Sequence, residues 1–164
     1  MQKQPPPRYA VGAVIARYNA HGAIEVLLIK KKYGGWSLPK GTIKSGETAR
    51  EALAREVVEE TALTGTIGVF LHEVSYTIMK REQARLKNVR YYLVQDVIGT
   101  PRPGKQEHIR KVRWFLLATA IQRAHNDRIR AVLERAGVAL ITGRDTRLLE
   151  QSVGGIQFGP LVER

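Results

Sequence analysis

The segment from Thr48 to Glu60 constrains the fold more than any other. Ala, Leu, Glu, Arg and two valines fill Ala49 to Glu60 with no glycine or proline to break a helix. Thr48 followed three residues later by Glu51 is a capping box, which satisfies backbone donors at the helix start. Ala49, Leu53 and Val57 recur every four residues and make an apolar stripe that has to be covered. The covering material is strand-like. Tyr9 to Arg17 is rich in Val, Ile and Ala, and Ile24 to Lys30 reads as its hairpin partner across the turn residues Asn19 to Gly22. After the helix come Ile67 to Tyr76, Val89 to Ile98 and Lys111 to Leu117. Ala118 to Arg135 is helical in composition, with a break near Asn126 and Gly137 as a candidate terminator. Strands, helix, strands, helix in that order predict an α/β domain, a mixed sheet with helices on its faces.

The connecting pieces read as loops. Tyr33-Gly34-Gly35-Trp36 breaks the strand pattern and Ser37 to Pro39 is a short extended piece. Lys40 to Glu47, Met79 to Asn88 and Thr100 to Gln106 complete the set, with Met79 to Asn88 a basic hairpin loop. Three successive prolines within residues 1–8 predict a disordered leader. Residues 9–137 then form one domain, and residues 138–164 are expected to be a partly ordered extension. There are no internal repeats.

Composition narrows the function. No cysteine is present among 164 residues, which excludes a disulfide scaffold, a thiolate zinc site and a cysteine nucleophile. No apolar run is long enough to cross a bilayer, and the N-terminus lacks the apolar core of a signal peptide, so a cytoplasmic protein without a membrane partner is expected. Lysine and arginine number 27 against 15 acidic residues, a net charge of +12. That balance favours polyanionic partners: nucleotides, phosphorylated metabolites or nucleic acid.

Glu56, Glu59 and Glu60 stand at i, i+3 and i+4 and point the same way on a helix. Like charges so placed repel, and they lie near the helix C-terminus, where the backbone dipole disfavours anions. A bound divalent cation compensates, and oxygen-only ligands suit magnesium or manganese. A solvated acidic face would account for three glutamates alone. The surroundings add weight to the first reading: Arg55 adjoins the cluster, Glu47 precedes the helix within pairing reach of Arg55, and Gly41 permits close backbone approach to a ligand.

The stretch Gly41 to Leu63 resembles the box of the Nudix hydrolases, G-x5-E-x7-R-E-U-x-E-E-x-G-U with U apolar. Gly41, Glu47, Arg55, Glu56, Glu59 and Glu60 fill its fixed positions, and Val57 and Leu63 its apolar ones. Ala62 stands where the pattern has its last glycine, a departure that bears on the turn after the helix. Trp36 to Gly41 and Val112 to Phe115 resemble the segments that flank the box and the final helix in that family.

The resemblance implies the Nudix fold, a mixed sheet sandwiched between helices, and metal-dependent hydrolysis of a nucleoside diphosphate linked to another group. It implies Mg2+ or Mn2+ held by Glu59 and Glu60, with Glu56 either a third ligand or the general base. The Gly41 carbonyl and Glu107, on the loop before the last strand, are further candidate ligands. Arg55 and Glu47 support the catalytic site. Lys40, beside Gly41, leads the candidates for substrate phosphate, followed by Lys32, Arg81 and Lys87, with Tyr92 as a ring that can stack on a base. Tyr91 and Tyr92 adjoin in a strand and must face opposite sides, so one belongs to the core. Pro39-Lys40-Gly41 and Val89 to Leu93 look similar to the branch that cleaves dinucleoside polyphosphates such as diadenosine tetraphosphate. Nucleoside triphosphates, diphosphoinositol polyphosphates and RNA 5′ ends are the other substrates the family suggests. A non-catalytic nucleotide-binding domain of the same fold and a general RNA-binding protein are the competing classes. Monomer and homodimer stay open.

Overall fold

The computed structural model describes residues 5–105 and 108–152, with side chains to residue 143. Ten elements follow in order: β1 (Arg8–Tyr18), β2 (Ile24–Lys31), β3 (Trp36–Ser37), β4 (Lys40–Thr42), α1 (Ala49–Thr61), β5 (Thr64–Lys80), β6 (Gln83–Ile98), β7 (Ile109–Leu116), α2 (Leu117–Arg123) and α3 (Asp127–Ser152).

β1 is the hinge of a seven-stranded mixed sheet. Its first eight residues run parallel to β6, from Arg8 opposite Lys87 to Ile15 opposite Val94. On its other side Ala10 to Gly12 pair antiparallel with β4. Its last residues, Ala16 to Tyr18, pair with β2, which carries β3 and β7. A strand enclosed this way is apolar on both faces, and the alternation splits the core in two. Ala10, Val14 and Ala16 face one way, with Val26, Leu28, Val89, Tyr91 and Leu93, against Ile129, Val132, Leu133 and Ala136 of α3. Val11, Ala13 and Ile15 face the other way, with Leu27 and Val94, against Ala52, Leu53 and Val57 of α1. The result is the expected layered order, helix on sheet on helix. Among the described residues no helix is long and apolar enough to cross a membrane.

Four boundaries differ from the sequence reading. Arg8, placed in the leader, begins β1 and pairs with Lys87. Lys40 to Thr42, read as loop, form a strand because they pair with the edge of β1 left open beside β2. Met79 to Asn88 is not a loop: β5 and β6 continue as a ribbon to a two-residue turn at Arg81 and Glu82. Both turn residues have positive φ, 50° and 61°, the twist that tight hairpin turns require. Finally, Gly137 does not end the last helix. Asn126 does interrupt the helical stretch, its Oδ1 accepting the Ile129 amide, but α3 then runs through Gly137 to Ser152 and takes in residues assigned to the extension. Gly137 is buried there, and a Cβ would meet Leu117 Cδ2 at 2.8 Å, so the glycine lets α3 lie close to the start of α2. Residues 1–4 of the expected leader and 153–164 of the extension lie outside the described residues.

Candidate active site

The capping box forms as the sequence predicts. Thr48 Oγ1 accepts the Glu51 amide and Glu51 Oε2 accepts the Thr48 amide. This fixes the start of α1 and with it the rotation of every later side chain. Leu53 and Val57 turn into the core; on the flank beside them Glu56 and Glu60 are buried as well, at 7% and 0% exposure. Glu59 lies on the outer flank, its side chain 41% exposed. The three glutamates thus share a side of the helix without making one solvated patch.

β4 covers the buried pair. A Cβ on Gly41 would sit 1.8 Å from Glu56 Cδ, so only glycine lets β4 pass this carboxylate. The Lys40 amide, one residue earlier, donates to Glu60 Oε2 at 3.1 Å, and Glu60 Oε1 lies 4.0 Å from Lys31 Nζ.

Arg55 gathers the remaining acids. Its Nε donates to Glu47 Oε1 at 2.6 Å and its Nη2 to Glu47 Oε2 at 2.9 Å, a two-point clasp between the helix and the loop before it. Nη1 donates to Glu56 Oε1 at 2.7 Å and Glu59 Oε2 at 3.2 Å, and Nη2 also reaches the Thr42 carbonyl at 3.1 Å. The Arg55 hydrogen bond, joined by the Lys44 amide, pulls the Glu47 carboxyl down to about 2. Glu47 in turn holds the Arg55 guanidinium above its ordinary value, against the opposing effect of burial and with added help from Glu56.

The far end of α1 is closed by the loop before β7. The Arg102 amide donates to the Thr61 carbonyl at 2.9 Å, and Gly104 passes so near that a Cβ would lie 2.0 Å from the Glu59 carbonyl oxygen. The Arg102 and Gly104 amides, the latter donating to the Glu60 carbonyl at 3.4 Å, satisfy helix carbonyls that lack intrahelical partners. Glu107, further along this loop, lies outside the described residues. The helix ends at Ala62, whose φ of 60° and ψ of 19° place it in the left-handed region.

On the opposite side of Lys40 the surface is basic. Lys40 Nζ donates to Tyr76 Oη at 2.8 Å, and Arg128 of α3 stacks over the Tyr76 ring at 4.8 Å. Lys87 stands opposite Tyr76 in the β5–β6 ladder. Burial pulls the Lys87 ammonium below its ordinary value; the Tyr76 phenol acts the other way, and Lys40, Arg8 and Lys31 lower it further. Burial raises the Tyr76 phenol, but the Lys40 hydrogen bond and the charges of Lys40, Lys87 and Arg128 outweigh it, so the net shift is downward. This is a concentration of positive charge in want of an anion, directly beside a concentration of carboxylates.

The predicted residues therefore divide. Gly41, Glu47, Arg55, Glu56, Glu59, Glu60, Lys40 and Lys87 come together. Lys32 sits over Tyr33 at 5.5 Å, on the connection after β2. Arg81 is at the ribbon turn, away from α1. Tyr92 packs edge-on against Phe70, ring centroids 5.8 Å apart, alongside the α1-facing core, while Tyr91 is the fully buried one of the pair. Arg128 and the Arg102–Gly104 contact escaped the sequence reading. Nothing in the local pattern of α3 or of a Pro- and Gly-rich loop announces a partner brought near only by folding.

Among the described residues no three acidic or imidazole side chains already surround one point as a metal cage. Arg55 links Glu56 to Glu59. The oxygens around it are those of carboxylates and the Thr42 carbonyl, a set that suits a hard divalent cation.

Comparisons with known proteins agree on one family. The profile described as NUDIX domain matches residues 6–136. The 8-oxo-(d)GTP phosphatase of Mycolicibacterium smegmatis is 33% identical over 135 residues, covering 77% of this chain and 40% of that protein. Nudix hydrolase 21, chloroplastic, of Arabidopsis thaliana is 33% identical over 138 residues, 77% of this chain and 65% of that protein. The chain thus spans between two-fifths and two-thirds of these relatives' lengths. A crystal structure of a C. elegans Ap4A hydrolase in binary complex superposes with a TM-score of 0.66 at 27% identity, covering 82% of this chain and 98% of that one.

Proposed function

Because the chain belongs to the NUDIX domain family, we propose that it is a metal-dependent pyrophosphohydrolase, cleaving a phosphoanhydride in a nucleoside diphosphate linked to a further group. One observation carries the reading: Lys40 joins two opposed fields. Its amide holds the Glu60 carboxylate at 3.1 Å and its ammonium reaches Tyr76 at 2.8 Å, where Lys87 and Arg128 also gather. A bridge between an acidic and a basic field suits a substrate that is itself a polyanion and a reaction that needs cations on it.

In this reading Glu56, Glu59 and Glu60, with the Gly41 carbonyl and Glu107, hold Mg2+ or Mn2+. When bound, such an ion neutralises pyrophosphate oxygens and lowers the pKa of water. The chain's own residues do the rest. Lys40, Lys87 and Arg128 bind and orient the phosphates that are not transferred. Tyr76 brings Lys40 and Arg128 together, the first on its hydroxyl and the second over its ring. Arg55 holds Glu56 and Glu59 in register until a cation competes for them, and the Lys40 amide holds Glu60. Glu47 anchors Arg55 and takes no part in chemistry. Glu56, at the α1–β4 contact, serves as ligand or as general base.

The names of the relatives, an 8-oxo-(d)GTP phosphatase and an Ap4A hydrolase, make oxidised nucleoside triphosphates and dinucleoside polyphosphates the first substrates to test. The experiment is a hydrolysis screen with Mg2+ and Mn2+ over these and over nucleotide sugars, diphosphoinositol polyphosphates and 5′-triphosphorylated RNA, with products identified. Turnover that disappears in Glu59→Gln at saturating metal is the expected result. Tight nucleotide binding with no turnover of any substrate would make the chain a binding domain instead.

A further inference from the structure

The β5–β6 ribbon projects beyond the sheet. β1, the partner of β6, begins at Arg8 opposite Lys87, and among the described residues β1 does not reach β6 between Gln83 and Leu86. From Glu73 opposite Arg90 to Lys80 opposite Gln83 the ladder runs without a register shift. Directly opposed residues share a face and alternate residues return to it. Tyr76 with Lys87, Ile78 with Arg85 and Lys80 with Gln83 therefore line one face, the same face on which Tyr76 meets Lys40 and Arg128. Lys80, Arg81, Gln83 and Arg85 enclose a concavity of about 270 Å³ at the far end. Among the described residues Lys80, Arg81, Arg85 and Lys87 form no ion pair, and Glu82 is the one acid between Thr77 and Asn88.

Cationic side chains thus continue outward from the proposed phosphate-binding region for about 14 Å, four residues at the antiparallel rise. What such a track holds is decided by what it lacks. Residues 77–86 contain no aromatic side chain, so the ribbon offers no platform on which a base could stack. A second nucleoside at the end of a dinucleoside polyphosphate would find nothing there to recognise it. A chain with a phosphate at every repeat would find a cation at each step.

We propose that the ribbon face formed by Lys80, Arg81 and Arg85 is a second anion-binding site, which holds backbone phosphates of a single-stranded nucleic acid whose 5′-polyphosphate end enters the site on α1. This rests on the pyrophosphohydrolase reading and names one form of the group attached to the diphosphate. The ribbon residues are positioning residues. They touch the strand remote from the bond being cleaved, so they act on the capture of long substrates and leave short ones alone.

The test uses the full chain and the combined variant Lys80→Gln, Arg81→Gln, Arg85→Gln, with ATP, diadenosine tetraphosphate and a 5′-triphosphorylated RNA octamer as substrates. The expected result is a fall in kcat/KM of about tenfold or more on the octamer, carried by KM, with ATP and diadenosine tetraphosphate unchanged. The salt dependence of octamer binding should also become shallower by about 0.7 for each phosphate that the variant no longer neutralises. An octamer value equal to wild type overturns the proposal. So does an equal loss on diadenosine tetraphosphate, which would make the ribbon a subsite for any long polyphosphate. If the wild type hydrolyses none of the three, the pyrophosphohydrolase reading is decided separately, by the wider hydrolysis screen. Anisotropy of a labelled octamer then still judges the ribbon, and identical affinity for wild type and variant refutes it.

Discussion

Gly41 and Glu56 occupy each other's space: a Cβ at residue 41 would lie 1.8 Å from Glu56 Cδ and 1.9 Å from its Oε1. The strand β4 can lie on α1 only because this residue has no side chain. Gly41→Ala must therefore push Glu56 out of reach of Arg55 or lift β4 away from β1. Overpacking of this kind costs about 1–3 kcal/mol. Turnover is expected to fall by tenfold or more, because Glu56 and the Lys40–Glu60 contact move together. Thermal unfolding and steady-state rates on one preparation check both parts; an alanine variant with wild-type turnover would remove Glu56 from the site.

The Arg55–Glu47 clasp predicts a dependence on pH with a defined sign. Glu47 is held at about 2 from an ordinary 4.5 by the Arg55 hydrogen bond and the Lys44 amide. A carboxyl lowered by folding stabilises the folded state above its unfolded value and loses that contribution as the pH falls toward its folded one. The loop between β4 and α1 should therefore loosen between about pH 4.5 and about 2. Unfolding free energies of wild type and Glu47→Gln, measured across that window, should converge as the pH falls. Parallel curves would show that the clasp does not contribute.

Arg55→Lys tests the same group from the other side. A lysine keeps the charge and loses the fork that reaches Glu47, Glu56, Glu59 and the Thr42 carbonyl at once. Loss of such charged hydrogen bonds costs about 2 kcal/mol. The rate should fall more than stability alone explains, seen as reduced kcat well below the unfolding temperature. Full activity in the lysine variant would leave Arg55 with a charge role only.

How much of the fold and site is legible in the sequence depends on whether the cause is local. The helix α1, its cap and the acids on it are fixed by residues within a few positions of one another, and the sequence reading places them correctly. The paired burial of Glu56 and Glu60 is not legible, because it comes from β4 lying across them, and β4 is a strand only by pairing with β1. The ribbon escapes for the same reason. Met79 to Asn88 is polar and basic, and its strand character comes from pairing across a turn at Arg81 and Glu82, neither of which is a usual turn residue at positive φ. Gly137 signals a helix end by type, but Ala136 and Leu140 bury α3 on both sides of it, and that packing overrides a glycine cost of about 1 kcal/mol.

The basic field around Tyr76 predicts a separation of stability from binding. Lys87 lies below its ordinary value through burial first, and through Lys40, Arg8 and Lys31 as well. Its charge is thus disfavoured in the folded protein until an anion arrives. Lys87→Met should raise the unfolding temperature without ligand and lose about tenfold in affinity for inorganic pyrophosphate, the size expected for one charge-assisted contact. Thermal unfolding with and without pyrophosphate, in the absence of metal, gives both numbers. A lower unfolding temperature together with unchanged affinity would mean that Lys87 is a packing residue.

Ala62 ends α1 with φ 60°, donating its amide to the Val58 carbonyl at 2.9 Å, and one residue later Leu63 is fully buried. The chain must reverse here within two residues to start β5 at Thr64, and the left-handed conformation achieves it. A Cβ makes that conformation unfavourable by about 1 kcal/mol, a cost a glycine does not bear. Ala62→Gly also loosens the unfolded chain, which offsets part of the gain. The net expectation is a stabilisation of up to about 1 kcal/mol, or roughly 2–4 °C for a chain of this size. Activity should stay unchanged, because the acids of α1 are positioned by Arg55 and by the Lys40 amide, not by the methyl group of residue 62. A destabilised glycine variant would show that this methyl group is held by packing strong enough to outweigh the backbone cost.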